Sequence, residues 1–255
     1  MKFIIGNWKM YPKTLKEAKA ILAAHRRSAR LLKRTKVVIC APQVFVGALA
    51  TGLRKTTTFA LGAQDVFWED EGARTGETSP AMLASLGLQY VIVGHSERRA
   101  LGETNKEVSQ KAAQAMKHKL TAVLCVGEQV RDDAGEYFGL VRSQLHASLA
   151  EIPKNASAHL MIAYEPIWAI GSKALRPAAP ADLHEMTILI RRELVAHFGK
   201  TAGFRVPILY GGSVDERNAE GFLTLGEADG LLIGRVSLSP EGFGAIVRLA
   251  EQKHS

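Results

Sequence analysis

The chain has 255 residues, two cysteines and a formal net charge of +8. A chain of this length can bury about three quarters of its unfolded surface, so it lies at the upper edge of a single domain and needs no disulfide or metal framework to fold. Its apolar runs all fall short of the roughly 18 residues that a membrane span requires, and its positive charge favours anionic ligands without discriminating among them.

Short β-rich runs recur along the chain and predict eight strands, at 3–5, 37–40, 59–61, 90–93, 122–126, 160–164, 206–210 and 231–233. Segments of helical period lie between them, including 15–33, 106–117, 137–149, 180–198 and 240–250. Strict alternation indicates parallel strands joined by right-handed crossovers. The prediction is therefore an α/β fold, a closed (β/α)8 barrel with outer helices that forms one domain over residues 1–255; a doubly wound open sheet is the alternative.

Active sites of such barrels gather at the C-terminal ends of the strands. After the first predicted strand, Asn7 and Lys9 offer an amide and an ammonium side by side. An ordinary solvated lysine is the alternative interpretation of Lys9.

The first predicted helix is amphipathic. Its apolar residues are spaced by three and four, which marks a buried stripe made of Leu15, Ala18, Leu22, His25, Ala29 and Leu32. The densest basic stretch shares this segment and consists of Arg26, Arg27, Arg30, Lys33, Arg34 and Lys36. We expect these charges to form a solvated outer face rather than a nucleic-acid or membrane contact, because no aromatic residues interleave with them.

Both cysteines lie in apolar strand segments. Cys40 ends the second predicted strand and Cys125 lies near the end of the fifth. We expect two buried, reduced thiols rather than a redox pair, which suits a reducing cytoplasm.

His95 follows the fourth predicted strand and opens a helical turn. The N-terminal dipole of that turn disfavours the imidazolium and leaves a neutral ring that can donate a hydrogen bond. A structural histidine is the alternative.

Glu165 carries the strongest single signal, because it stands directly where the apolar sixth strand leaves the core and a segment with Pro166, Trp168 and Gly171 follows it. Partial burial raises the basicity of a carboxylate toward that of a working general base. A structural ion pair is the alternative.

Glycines follow the last two strands, at 211–212 after the seventh and at 230 and 234 around the eighth. They place backbone amides where an anion can bind, in the usual barrel location for a phosphate. A tight βα loop also needs glycine, so the pattern is informative only together with Glu165 and His95.

With these segments assembled, the chain resembles the triosephosphate isomerases from residue 2 to about residue 250. The matching motifs occur in order along the chain: Gly6-Asn7-Trp8-Lys9-Met10, Gly76-Glu77 with Ser79-Pro80, Gly94 through Arg99, Cys125-Val126-Gly127-Glu128, Tyr164 through Gly171, and Tyr210 through Val214.

The resemblance implies interconversion of dihydroxyacetone phosphate and D-glyceraldehyde 3-phosphate by proton transfer through an enediolate, without metal or cofactor. It implies that Glu165 is the base and that neutral His95 polarises the carbonyl oxygen. It further implies that Lys9 and Asn7 steady the developing oxyanion and that Glu97 holds Lys9 in place.

The resemblance also implies a phosphate site made of the backbone amides of Gly171, Ser213 and Gly234. A lid over residues 166–174 would close on the substrate, with its main part formed by Pro166, Ile167, Trp168, Ala169, Ile170, Gly171 and Ser172. The family implies a cytoplasmic homodimer in which loop 64–79 reaches into the second subunit near Lys9 and His95. The implied partner is the small triose phosphate, with no nucleic acid and no membrane.

The chain departs from the family at several positions. Ser172-Lys173-Ala174 stands where the family usually has Thr-Gly-Lys, and the stretch to Pro180 is longer by about two residues. Arg235 replaces the second of a glycine pair, and we expect its side chain to point outward because a pocket of backbone amides leaves little room for a guanidinium. Arg74 and Tyr11 also differ from common family residues and can alter subunit affinity.

Two alternatives remain open at this point. The first is a paralogous isomerase of a longer sugar phosphate, such as a tetrulose phosphate, that uses the same Glu165 and His95; lid length separates it from the first hypothesis. The second is a basic binding protein on a barrel scaffold that has lost catalysis, against which the intact Asn7, Lys9, His95 and Glu165 argue.

Overall fold

A computed structural model of the protein describes residues 1–53, 56–171, 174 and 176–253. Within these residues, eight parallel strands pair in chain order and close into a barrel in which β1 also pairs with β8. The strands are β1 Lys2–Asn7, β2 Thr35–Ala41, β3 Phe59–Ala63, β4 Tyr90–Val93, β5 Thr121–Val126, β6 Leu160–Tyr164, β7 Ile208–Tyr210 and β8 Gly230–Ile233. The predicted closed (β/α)8 barrel is confirmed, and the open-sheet alternative is wrong.

The helices in the described residues are α1 Leu15–Ala29, α2 Gln43–Ala50, α3 Pro80–Ser85, α4 Ser96–Ala100, α5 Asn105–Lys117, α6 Glu136–Leu149, α7 Pro180–Phe198, α8 Lys200–Arg205, α9 Ala219–Thr224 and α10 Pro240–Gln252. Short 3₁₀ turns occur at Ser157–His159, Ile167–Ala169 and Arg235–Leu238. The sequence predicted the helical turn that His95 opens, which is α4, but did not predict α2, α3, α8 and α9. Each has eight residues or fewer, which is too short for a helical period to stand out.

Local hydrogen bonds explain where the long helices begin. Thr14 caps α1 by accepting a hydrogen bond from the backbone of Glu17, and Thr104 and Glu107 form a capping box at α5. The first helix ends at Ala29, before the predicted end at residue 33, because the chain must turn back to enter β2.

Two hydrophobic layers hold the barrel. Alternate strand residues fill its interior, and they are Ile5, Val38, Cys40, Ala60, Tyr90, Ile92, Val123, Cys125, Met161, Ala163, Leu209 and Leu232. The other strand residues pack with the apolar faces of the helices in a second, larger cluster. Cys40 and Cys125 are buried and unpaired, as predicted, and burial raises the pKa of each thiol.

The prediction for the basic stretch is correct at its helical end and wrong at Lys36. Arg26, Arg27 and Arg30 are exposed with Lys33 and Arg34. Lys36 is buried because β2 already begins at Thr35, and its Nζ donates a hydrogen bond to the carbonyl of Thr56 at 3.1 Å. Desolvation lowers the pKa of this ammonium.

No helix in the described part of the chain combines the length and the apolar character needed to cross a membrane.

His25 belongs to the buried stripe of α1 and is fully enclosed. Its Nε2 donates a hydrogen bond to the carbonyl of Ser237 at 2.8 Å, and its ring lies 4.5 Å from that of Phe243. Burial lowers the pKa of His25 from 6.5 to about 4, although the hydrogen bond to Ser237 opposes the shift.

The titration of His25 predicts a loss of stability in mild acid. In the unfolded chain His25 takes up a proton below pH 6.5, whereas in the folded protein it stays neutral until about pH 4. The unfolded state therefore binds more protons in this window, so the free energy of unfolding decreases as the pH falls from 6.5 to about 4, by about 3 kcal/mol in total. Denaturant unfolding at a series of pH values is expected to show a shallower decline for His25→Leu than for the unmodified protein. Parallel curves for the two proteins would contradict this assignment.

Candidate active site

Glu165 lies at the C-terminal rim of the barrel, directly after β6, and is only 2% exposed. Its Oε2 accepts a hydrogen bond from the backbone N–H of Ser96 at 2.8 Å. Its Oε1 lies 3.1 Å from Nε2 of His95 and is buried without a hydrogen-bond partner among the described residues. The barrel thus brings together the carboxylate and the imidazole that the sequence singled out on different strands.

Two glycines make room for Glu165. A Cβ atom at Gly127 would lie 1.8 Å from the carbonyl oxygen of Glu165, and one at Gly211 would lie 3.0 Å from its Cγ. The backbone of Glu165 is fixed in the same gap, because its N–H donates to the carbonyl of Val126 at 2.8 Å. The glycine at 211 was predicted as part of an anion-binding loop, and its close packing against Glu165 is an additional reason for it.

The hydrogen bonds of His95 determine where its proton lies. His95 caps α4, and its Nδ1 accepts a hydrogen bond from the backbone N–H of Glu97 at 3.2 Å. A ring nitrogen that accepts a hydrogen bond carries no proton, so the ring is neutral with its proton on Nε2. That Nε2 faces Glu165 and can donate to an oxygen placed beside the carboxylate.

Lys9 adopts a left-handed backbone conformation with φ of 53°, which is unusual for a residue other than glycine. Contacts on both sides hold this conformation: its N–H donates to Oδ1 of Asn7 at 3.0 Å, and its carbonyl accepts from Nε2 of Gln64 at 2.9 Å. The Lys9 ammonium lies 2.5 Å from Oε1 of Glu97. The strained backbone and the ion pair hold the Lys9 ammonium at the same rim of the barrel as His95.

Gln64 is a site residue that sequence reasoning did not single out, apart from its place at the start of loop 64–79. Its side-chain amide also donates to the carbonyl of Cys40 at 3.0 Å, so it joins the ends of β1 and β2 through one side chain. Nothing in its sequence neighbourhood indicates this role.

The three predicted phosphate ligands lie on different elements. A Cβ atom at Gly234 would lie 3.3 Å from Cε of Lys9, so this backbone adjoins the lysine. Ser213 Oγ donates to the carbonyl of Ala169 at 3.5 Å and so contacts the predicted lid. Gly171 is exposed with φ of 80°, whereas Ser172 and Lys173, the next residues of the predicted lid, lie outside the described residues.

Glu128 anchors the first part of the predicted lid. Its Oε1 accepts hydrogen bonds from the Tyr164 hydroxyl and from Nε1 of Trp168, both at 2.7 Å. Its carbonyl accepts from the N–H of Ile167 at 3.0 Å. Burial raises the pKa of this carboxyl, while the Tyr164 and Trp168 donors oppose the rise.

Two guanidinium groups lie against the Trp168 ring. The Arg131 group is 5.6 Å and the Arg176 group 4.6 Å from the ring centroid. Arg176 also forms a two-pronged ion pair with Asp182 near the start of α7, at 2.7 and 2.8 Å. The stretch before Pro180 therefore folds back onto Trp168.

The rim opens into a cleft of about 490 Å³ whose walls include Asn7, Lys9, Gln64, His95 and Glu97. Arg235, next to Gly234, is exposed. In the described part of the chain, no group of three or more His, Cys, Asp or Glu side chains is placed to hold a metal ion. Lys9 and His95 line this cleft, and His95 Nε2 lies 3.1 Å from the buried carboxylate of Glu165 behind it. A buried carboxylate, a neutral imidazole donor and a cation held by an ion pair suit removal of a proton next to a carbonyl group.

Comparisons with known proteins agree with this chemistry. The sequence profile of the triosephosphate isomerase family matches residues 2–250. A triosephosphate isomerase from Dictyoglomus turgidum is 39% identical over 97% of this chain and 98% of its own length. One from a Roseiflexus species is 42% identical over 96% of this chain and 95% of its own, and one from Herminiimonas arsenicoxydans is 41% identical over 98% and 99%.

The environment of Glu128 predicts the effect of removing its carboxylate. Glu128→Leu leaves the Tyr164 hydroxyl and the Trp168 indole N–H buried without an acceptor, at about 1–3 kcal/mol each. Amide hydrogen exchange over residues 166–171 is expected to quicken at least about tenfold. Glu128→Gln keeps an oxygen that can accept both hydrogen bonds and is the matched control. Equal exchange in both variants would show that the carboxylate oxygen does not hold this segment.

Proposed function

The chain belongs to the triosephosphate isomerase family and interconverts dihydroxyacetone phosphate and D-glyceraldehyde 3-phosphate, and we propose that Glu165 is the base of this reaction. The assignment rests on the surroundings of one carboxylate oxygen, Oε1 of Glu165. This oxygen is buried, has no hydrogen-bond partner among the described residues and lies 3.1 Å from Nε2 of His95. A desolvated carboxylate oxygen in this position is ready to accept a proton from carbon once a substrate oxygen takes up the N–H of His95.

The proton transfer follows from this geometry. Glu165 removes a proton from the carbon next to the carbonyl, and the electron pair of the broken C–H bond moves to form the enediolate. His95 donates a hydrogen bond from Nε2 to the carbonyl oxygen, where negative charge develops. The proton of the neighbouring hydroxyl passes to the former carbonyl oxygen, a transfer that His95 Nε2 can relay. Return of the carbon proton from Glu165 to the neighbouring carbon then completes the isomerisation, so no atom is gained or lost.

Lys9 and Asn7 support the same oxygen in this proposal. The ammonium of Lys9 supplies a positive charge that Glu97 holds in position, and Asn7 fixes the backbone from which Lys9 extends. Fixed charges in a dry cleft stabilise a developing oxyanion without reorganisation during the reaction.

The backbone amides of Gly171, Ser213 and Gly234 are proposed to bind the phosphate. The approach of Gly234 to Lys9 and the contact of Ser213 with Ala169 support a site shared by the rim and the lid. We also propose that residues 166–172 close over the bound substrate, which keeps water from Glu165 and stops the enediolate from expelling its phosphate.

Substitution of the base tests the assignment. Glu165→Gln keeps the shape of the side chain but cannot accept the proton, so kcat for D-glyceraldehyde 3-phosphate is expected to fall by about 100- to 10,000-fold. The exposed Glu151 serves as control, and Glu151→Gln is expected to turn over like the unmodified protein. Undiminished turnover by Glu165→Gln would overturn the role of Glu165.

The relatives described above carry the triosephosphate name, and the alternative of a tetrulose phosphate isomerase has no better support. The contacts of Asn7, Lys9, His95 and Glu165 likewise give no reason to prefer a binding protein that has lost catalysis.

A homodimer is part of the proposal. Met10 and Leu101 line the cleft beside Lys9 and His95 and are 91% and 83% exposed. Exposure of two large apolar side chains to water is unfavourable for an isolated chain. Within loop 64–79, Arg74 pairs with Glu69 at 2.9 Å, and this ion pair helps to fix the conformation of the loop. A second copy that places this loop against Met10 would cover the apolar side chains and help to keep the cleft dry.

The subunit interface can be tested by sedimentation. The unmodified protein is expected to have twice the 27.7 kDa mass of the chain, and Met10→Asp is expected to shift it toward one chain, because a buried unpaired carboxylate disfavours the contact. Leu31→Asp is the matched control, since Leu31 is 88% exposed just after α1. Dissociation by both variants, or by neither, would contradict the proposed interface.

We further propose a cytoplasmic location with a role in glycolysis and gluconeogenesis, and a single domain over residues 1–255. The unpaired Cys40 and Cys125 support a reducing compartment. The hydrophobic cluster that joins the barrel to its helices supports a single domain.

A further inference from the structure

The 3₁₀ turn Arg235–Leu238 follows β8 and immediately succeeds Gly234. Ser237 in this turn is fully buried, and both its N–H and its hydroxyl donate to the carbonyl of Gly234, at 2.9 and 2.6 Å. A shift of Ser237 must therefore move the backbone of Gly234 with it.

The carbonyl of Ser237 is held from the opposite side by two buried rings. Trp8 Nε1 donates to it at 3.2 Å and His25 Nε2 donates to it at 2.8 Å. Trp8 immediately precedes Lys9 on the rim, whereas His25 belongs to α1 on the outside of the barrel. The shorter of the two hydrogen bonds thus comes from a helix that contributes no other residue to the site described above.

Burying a histidine at position 25 is energetically unfavourable, because most of its surroundings are apolar. Its Nδ1 is buried without a hydrogen-bond partner among the described residues, and its ring packs against those of Phe243 and Trp8, at 4.5 and 6.3 Å between centroids. Burial of an imidazole in this way costs desolvation that a leucine would avoid. Among the described residues the imidazole makes one hydrogen bond, to Ser237, and the packed rings hold it in the orientation that this bond requires.

We propose that His25 is a positioning residue for the substrate phosphate, because its hydrogen bond to Ser237 keeps the Gly234 amide in place. This inference rests on the proposed role of Gly234 in phosphate binding. The phosphate is bound in the ground state and in the transition state alike, so loosening its ligand weakens binding more than it slows the chemical step.

The test uses the full-length protein with two substitutions at one position. His25→Leu keeps an apolar side chain of similar bulk and removes the donor, whereas a Gln side chain can present its amide N–H near the position of Nε2. We expect His25→Leu to raise both KM and the inhibition constant of inorganic phosphate about three- to tenfold, with kcat within about twofold of the unmodified value. His25→Gln is expected to restore both constants. Assays are run well below the melting temperature of each variant, so that partial unfolding does not enter the constants.

Equal constants for His25→Leu and His25→Gln, whether raised or unchanged, would overturn the proposal, as would a fall in kcat without a change in KM. Gly234→Pro removes the proposed ligand, the backbone N–H, at a φ of −81° that a proline ring permits, so the same phosphate titration on this variant separates a failure of His25 from a failure of the phosphate site itself. Weaker phosphate inhibition in Gly234→Pro with an unchanged His25→Leu would refute only the role of His25. Unchanged inhibition in Gly234→Pro would refute Gly234 as a phosphate ligand, and the positioning role with it.

Discussion

The pairing of the first strand with the last is the interaction on which the rest of the structure depends. Phe3 aligns with Gly230 and Gly6 with Ile233, which closes the sheet into a barrel. The backbones approach so closely that a Cβ atom at Gly230 would lie 2.0 Å from the carbonyl oxygen of Phe3. Only glycine fits there without displacing the backbone, and closure leaves no strand edge open to another chain.

Closure also decides which residues become neighbours at the rim. Because all strands run parallel, the end of β1 lies beside the end of β8, and Lys9 meets Gly234. The ends of β4 and β6 lie on either side of β5 at the same rim, so that His95 and Ser96 reach the carboxylate of Glu165. Close packing then protects the base, since glycine at 127 and 211 leaves just enough space for its backbone and side chain.

A second group of contacts connects this rigid rim to segments outside it. Glu128 holds Trp168 and Tyr164 through one carboxylate oxygen, and Arg176 covers the Trp168 ring from the lengthened stretch before α7. On the far side of the barrel, His25 reaches Ser237 from α1. The hydrogen bonds of Glu128 and His25 belong to buried side chains and keep their geometry because water does not compete for them.

Local sequence determined the parallel strands and pointed to residues with reactive groups. Alternating apolar strands and helical periods favoured a closed barrel over an open sheet, α7 was predicted with its observed bounds, and Asn7, Lys9, His95 and Glu165 were singled out because each lies at or just after a strand end. Tertiary structure alone decided the burial of Lys36, the two-strand contact of Gln64 and the hydrogen bond from His25 to Ser237. The physical reason is separation along the sequence. A helical period or a strand end depends on adjacent residues, whereas these hydrogen bonds join segments that become neighbours only when the barrel closes.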